Sequence, residues 1–163
     1  MSIWLGVDLG NVRVGLALSD PELSMAYPIG NIKVLHDYFA AFDQILETIR
    51  DHHIEHVVIG YPLNMDGSAG KAAKKAQRWA HQLEVRFQQF ITYGYNLEMW
   101  GVSNSPEDLV ISLQDERLTT VSAHRQLRTA GYLEEKHRPM VDQQSAVLIL
   151  QTALEKHQRH INA

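Results

Sequence analysis

The sequence predicts an α/β fold: a mixed, five-stranded sheet in the order βββαβαβα, with helices packed on it. Three observations predict it. An apolar run holding one acid, Ile3–Asp8, is followed across Gly10-Asn11 by an alternating run, Val14–Ser19. Two later apolar runs, His56–Tyr61 and Leu109–Gln114, have the length of buried strands. Segments of helical period lie between and after them.

The elements follow in order. Ile3–Asp8 is apolar or small on both faces, so it reads as a central strand. Val14–Ser19 sets Val14, Leu16 and Leu18 against Gly15, Ala17 and Ser19. Met25–Val34 is extended, and Pro28 and Gly30 mark an edge or a bulge. Asp37 is placed to cap a helix running to about His52, with Phe39, Phe42, Ile45, Leu46 and Ile49 on one face. His56–Tyr61 ends at Pro62 and leads into the loop Leu63-Asn64-Met65-Asp66-Gly67-Ser68. A long helix from about Ala69 to Phe90 buries Ala72, Ala76, Trp79, Leu83 and Phe87. After Leu109–Gln114, Thr119 or Thr120 caps a helix ended by Gly131. Beyond a polar loop containing Pro139, a last helix spans about Val141 to His157. Thr92–Pro106 fits neither period and is long for a connection. It is read as a hairpin, a binding excursion or an insertion.

Composition narrows the class. The 163 residues suit one domain, 1–163, and 45% hydrophobic with 21% charged residues is ordinary for a globular chain. No apolar run has the length of a bilayer span, no signal-peptide pattern opens the chain, and there are no cysteines. A cytoplasmic protein with no membrane partner is expected, without thiolate metal sites or disulfides. The net charge of −4 argues against a general coat for nucleic acid, though not against a local basic face. The nine histidines are scattered and read as solvated surface groups.

The acids carry the chemistry. Asp8 ends a buried strand, where an ionised carboxylate needs a compensating cation. Asp115 and Glu116 end the last strand. Asp142 is in register with Ala146, Ile149, Leu150 and Ala153, on the apolar stripe of the final helix. Ligands gather at the carboxyl ends of central strands in such sheets. Three carboxylates converging there form a hard-oxygen site for Mg²⁺ or Mn²⁺, suited to phosphodiester hydrolysis. Plainer roles exist for two of them: Asp142 as an N-cap, and Asp115 or Glu116 as a solvated turn paired with Arg117.

Four segments then occur in a recognisable order. They are Gly6-Val7-Asp8-Leu9-Gly10 with Arg13-Val14-Gly15-Leu16-Ala17; Gly60-Tyr61-Pro62-Leu63-Asn64-Met65-Asp66-Gly67-Ser68; Asp115-Glu116-Arg117-Leu118-Thr119-Thr120; and Asp142 followed by Ala146. Together they resemble the YqgF/RuvX family, a bacterial group similar to Holliday-junction resolvases. The resemblance implies an RNase H-like fold and a nuclease that matures the 5′ end of precursor small-subunit (16S) ribosomal RNA. By homology it also implies action on branched DNA. It carries over Asp8, Glu116 or its neighbour Asp115, and Asp142 as catalytic and metal-binding acids. Two departures stand out. Resolvases proper have an acid on the fourth strand, where this chain has Val58-Ile59-Gly60, and Thr92–Pro106 exceeds the family's usual link.

Groups that can hold nucleic acid are also present. Lys71, Lys74, Lys75 and Arg78 share one helix face, suited to phosphate contacts, although a solvated face is the plainer reading. Arg13, Arg117 and Thr119 flank the acids and can contact substrate or hold the carboxylates. Tyr61, Tyr93, Tyr95 and Trp100 offer rings for stacking on bases, if not used in packing. The leading reading is a metal-dependent phosphodiesterase on structured RNA, working alone or as a homodimer and on ribosomal precursor particles. The alternatives are a branched-DNA resolvase and a non-catalytic RNA-binding assembly factor. A phosphate loop of an actin-like ATPase ranks last, since that enzyme needs two such lobes.

Overall fold

The computed structural model describes residues 2–34, 41–93, 109–117 and 138–162. Among them are five strands and three helices: β1 (Trp4–Leu9), β2 (Arg13–Ser19), β3 (Ala26–Lys33), α1 (Phe42–His52), β4 (His56–Tyr61), α2 (Lys71–Tyr93), β5 (Val110–Asp115) and α3 (Arg138–Asn162). The sheet order is β3-β2-β1-β4-β5. β1, β2 and β3 pair antiparallel, while β4 lies parallel to β1 and to β5. The mixed sheet is therefore the predicted one. The third strand is an edge, and its register shifts opposite Leu16/Ala17, where Pro28 and Gly30 lie.

Alternation along each strand divides the residues between two cores. Leu5, Val7, Val57, Ile59, Leu16 and Leu18 face α1 and α2, where Phe42 and Trp79 meet with ring centroids 5.0 Å apart. Trp4, Ala17 and Val58 face α3 and pack against Ala146, Ile149, Leu150, Ala153 and Leu154. β1 is thus buried on both faces, as expected of a central strand. No helix among the described residues is long and apolar enough to cross a membrane.

Several details differ from the sequence reading. Ala73, not Ala72, joins Ala76, Trp79, Leu83 and Phe87 in the core, while Ala72 is exposed. Three residues, rather than four, is the step that keeps position 73 on that stripe. α1 begins after Ala41 with no side-chain cap, and Asp37 lies outside the described residues. So do the expected helix of 119–131 and residues 94–108. α3 starts at Arg138, three residues before the expected Val141, because a proline fits the first turn, where its missing N–H costs no helical bond. Two histidines are not simple surface groups. At the amino end of the sheet Trp4 packs between His56 and His157, with ring centroids at 4.1 and 4.9 Å. Burial, with His157 nearby, lowers the His56 pKa from 6.5 to about 4, and its Nε2 lies 2.7 Å from the Ser112 hydroxyl.

Gly6 seats α3 on the sheet. A Cβ there would lie 2.7 Å from Leu150 Cβ and 2.9 Å from the Ala146 carbonyl oxygen, neither of which can swing away. Replacing a strand glycine by alanine ordinarily stabilises through the unfolded chain. Gly6→Ala is expected instead to cost about 1–3 kcal/mol, the range for overpacking, read by urea unfolding.

Candidate active site

Asp8 is the last residue but one of β1 and is fully buried. The chain turns directly after it, with the Gly10 N–H donating to the Asp8 carbonyl at 3.1 Å. The even-numbered residues of β1 face α3, so the carboxylate lies on that side of the sheet. Gly15 is its partner across β2. On β4, Ile59 pairs with Val7, which makes Gly60 the next rung beside Asp8. Asp8 is therefore flanked by glycine on both neighbouring strands.

Glu116 follows β5 and is 2% exposed. Its N–H donates to the Tyr61 carbonyl at 3.3 Å, extending the ladder by one step. Alternation sends its side chain to the α3 face, and Oε1 occupies the space where a Cβ on Gly60 would sit. Neighbouring strands are about 4.8 Å apart, so this carboxylate lies about one strand spacing from the Asp8 backbone. Two buried acids from separate strands thus share one face at the carboxyl ends of the sheet.

The adjacent acid behaves differently. Asp115 is in register with Tyr61, on the opposite face. It accepts from the Arg117 side chain at 2.8, 2.9 and 3.2 Å and from the Arg117 N–H at 2.9 Å. These bonds hold the Asp115 carboxyl below its usual pKa. The Arg117 guanidinium also lies against Gly67, whose φ of +89° closes the loop after β4. Arg117 therefore ties the end of β5 to that loop, and its fork is already engaged by a carboxylate. Of the adjacent acids, the geometry places Glu116 beside Asp8 and Asp115 away from it.

Asp142 sits inside α3, four residues past its start, so its backbone is not at an N-cap position. Residue 142 is one helical turn before Ala146, which touches Gly6. α3 runs antiparallel to β1, with Ala146 and Leu150 over Gly6 and Ala153 and Leu154 in the core that holds Trp4. The stripe position of residue 142 is thus the one over the carboxyl end of β1. Its side chain lies outside the described residues. Among the described residues no three acidic or histidine side chains cluster tightly enough to hold a metal.

Basic groups lie on both faces near the carboxyl edge of the sheet. Lys71, Lys74 and Arg78 are exposed along the start of α2. Lys75 is half-buried and lines a small cavity with Leu9, Asn11, Gly60 and Pro62 at the carboxyl edge of the sheet. Arg13 heads β2 opposite Lys33 on β3, on the same face as Asp8. Lys33 was not legible beforehand, because only the strand register brings it to Arg13. Of the rings considered for stacking, Tyr61 accepts from Gln77 at 2.5 Å, while Tyr95 and Trp100 lie outside the described residues. Thr119 does too.

A five-stranded mixed sheet backed by helices, with buried acids from β1 and β5 meeting over β4 at its carboxyl edge, places the chain in the RNase H-like fold class. The chain belongs to the RuvX family, whose model, described as Holliday junction resolvase, matches residues 2–156. A relative from Bifidobacterium longum subsp. infantis, named "Putative pre-16S rRNA nuclease", is 58% identical over 94% of this chain and 97% of its own. One of the same name from Corynebacterium diphtheriae is 37% identical, over 93% of this chain and 82% of its own. The structure of Thermus thermophilus RuvC with a Holliday junction substrate superimposes with a TM-score of 0.51 at 14% identity, over 97% of this chain and 96% of that one. At that identity the likeness shows the shared fold.

The Asp115–Arg117 pair gives a direct check on the assignment of the neighbouring acids. Their side chains are 40% and 32% exposed, so screening keeps the pair worth less than about 1 kcal/mol. A lowered carboxyl pKa adds stability above the unfolded value and loses it as pH falls through the folded one. Arg117→Ala is expected to return the Asp115 carboxyl toward 3.8 in an NMR titration, with little loss of stability at neutral pH.

Proposed function

We propose that this protein is a divalent-metal-dependent nuclease that trims the 5′ end of precursor small-subunit ribosomal RNA. The observation that carries the reading is the pairing of Asp8 and Glu116 on one buried face, with the Glu116 carboxylate laid across Gly60. Two buried carboxylates repel each other and lose hydration, a cost that a hard cation offsets. The donor set suits the group: carboxylate oxygens, no sulfur, and a glycine-cleared space between strands. Asp8 and Glu116 would hold Mg²⁺ or Mn²⁺, with Asp142 as a third ligand from α3. When bound, such ions lower the pKa of water and neutralise charge on the leaving oxygen.

The protein's own groups do the rest. Half-buried Lys75 reaches the carboxyl edge of the sheet from α2, which also exposes Lys71, Lys74 and Arg78, while Arg13 and Lys33 stand on the acids' own face. They would bind the phosphate backbone without reading sequence. Relatives named as pre-16S rRNA nucleases support RNA as the substrate. The family description supports branched DNA as the second candidate. Glycine on β4, where resolvases proper carry an acid, favours RNA over a junction.

The test compares wild type with Asp8→Asn on 5′-extended small-subunit rRNA, free and in precursor particles, and on a four-way DNA junction. Cleavage of the RNA is expected with Mg²⁺ or Mn²⁺ and is abolished by EDTA. Asp8→Asn is expected to lower it by at least about a hundredfold, since outer-shell changes alone cost up to that much. The variant should melt at or above wild type in metal-free buffer, because one buried charge is gone. RNA bound but uncut across divalent metals would favour the assembly-factor reading instead.

A further inference from the structure

The Glu116 carboxylate starts from the end of β5 and has to cross β4 to reach the neighbourhood of Asp8 on β1. Any side chain on β4 at that rung, on that face, stands in its path. Val58 and Gly60 are the β4 residues that face α3 near this end, and the rung beside Asp8 is Gly60. A Cβ built there would collide with Glu116 Oε1, and would lie 3.1 Å from its Cδ and 2.6 Å from Ile149 Cδ1. Both obstacles are the free ends of flexible side chains. At Gly6, by contrast, a Cβ meets a side-chain root and a backbone oxygen. A methyl at position 60 can therefore be accommodated, and the group that yields is the acid.

We propose that Gly60 is the positioning residue of the site: its missing side chain is the seat of the Glu116 carboxylate. This rests on the reading that Glu116 is a metal ligand. It also gives a physical account of why β4 carries no acid here. The place where a β4 carboxylate would begin is filled by one that arrives from β5. The same position can hold a side chain or the Glu116 carboxylate, but not both.

The experiment measures Mn²⁺ affinity by electron paramagnetic resonance on the intact protein, with circular dichroism as a check of fold. Glu116→Gln sets the loss expected when the ligand is removed. Gly60→Ala is expected to weaken Mn²⁺ binding about tenfold or more, with the fold retained. Glu116→Asp shortens the side chain, so it weakens binding in the wild-type background. In the Gly60→Ala background it restores part of the loss, a compensation that a merely destabilising alanine would not produce. Should Gly60→Ala fold poorly, Gly60→Ala with Ile149→Val removes the second collision and leaves the first, and Mn²⁺ binding should still be lost. Gly60→Ala binding Mn²⁺ as wild type does, while Glu116→Gln fails, overturns the proposal. If wild type itself binds no Mn²⁺, the metal reading falls separately. The seat is then judged by the crystal structure of Gly60→Ala, where an unmoved Glu116 carboxylate overturns it and a displaced one supports it.

Discussion

Two carboxylates, Asp8 and Glu116, are buried side by side on the α3 face of a hydrophobic sheet, and most of the architecture near them follows from that constraint. An acid in such a place costs several kcal/mol unless charge and hydrogen bonding compensate it. The backbone has therefore to bring both acids to one place and clear room around them. Glycines do the clearing: Gly15 and Gly60 flank Asp8 on the neighbouring strands. The turn after β1 and the one-step extension of the β4–β5 ladder fix the two main chains.

The rest of the fold holds that arrangement rigid. Trp79, Phe42, Leu83 and their neighbours fill one face of the sheet, while Ile149, Leu150 and Leu154 fill the other. Gly6 lets α3 lie close against β1, which sets the height of the helix over the acids. Arg117 secures the adjoining loop through Asp115 and Gly67, so the acid that does not face Asp8 has a structural task instead. The basic groups of α2 and of the β2–β3 edge lie near the carboxyl edge of the sheet, outside the acid pair.

Much of this was legible in the sequence, for identifiable reasons. Asp8 stood out because a lone acid in an apolar strand has few structural uses. The sequence of strands and helices along the chain, and the change from antiparallel to parallel pairing, followed from turn chemistry and from the lengths of the apolar runs. Adjacent acids were another matter. Asp115 and Glu116 point to opposite faces, and nothing in their spacing says which faces the core. Gly60 and Lys33 were missed because their partners lie 56 and 20 residues away in sequence, and only strand register joins them. Ala72 and Ala73 show the same limit on a helix, where a one-residue error in phase moves a side chain from solvent to core. Residues 94–108 and 118–137 lie outside the described residues, and the expectations that fell there, Thr119 included, stand as read.

The central claim is that the buried acid pair is a metal site. Diffraction from crystals soaked in MnCl₂, collected at the manganese absorption edge, tests it most directly. The account predicts an anomalous peak on the α3 face above Gly60, with oxygens of Asp8 and Glu116 within about 2.0–2.3 Å of it. Saturating manganese that leaves this place empty, or that binds elsewhere with the two carboxylates too far apart to share an ion, would contradict it.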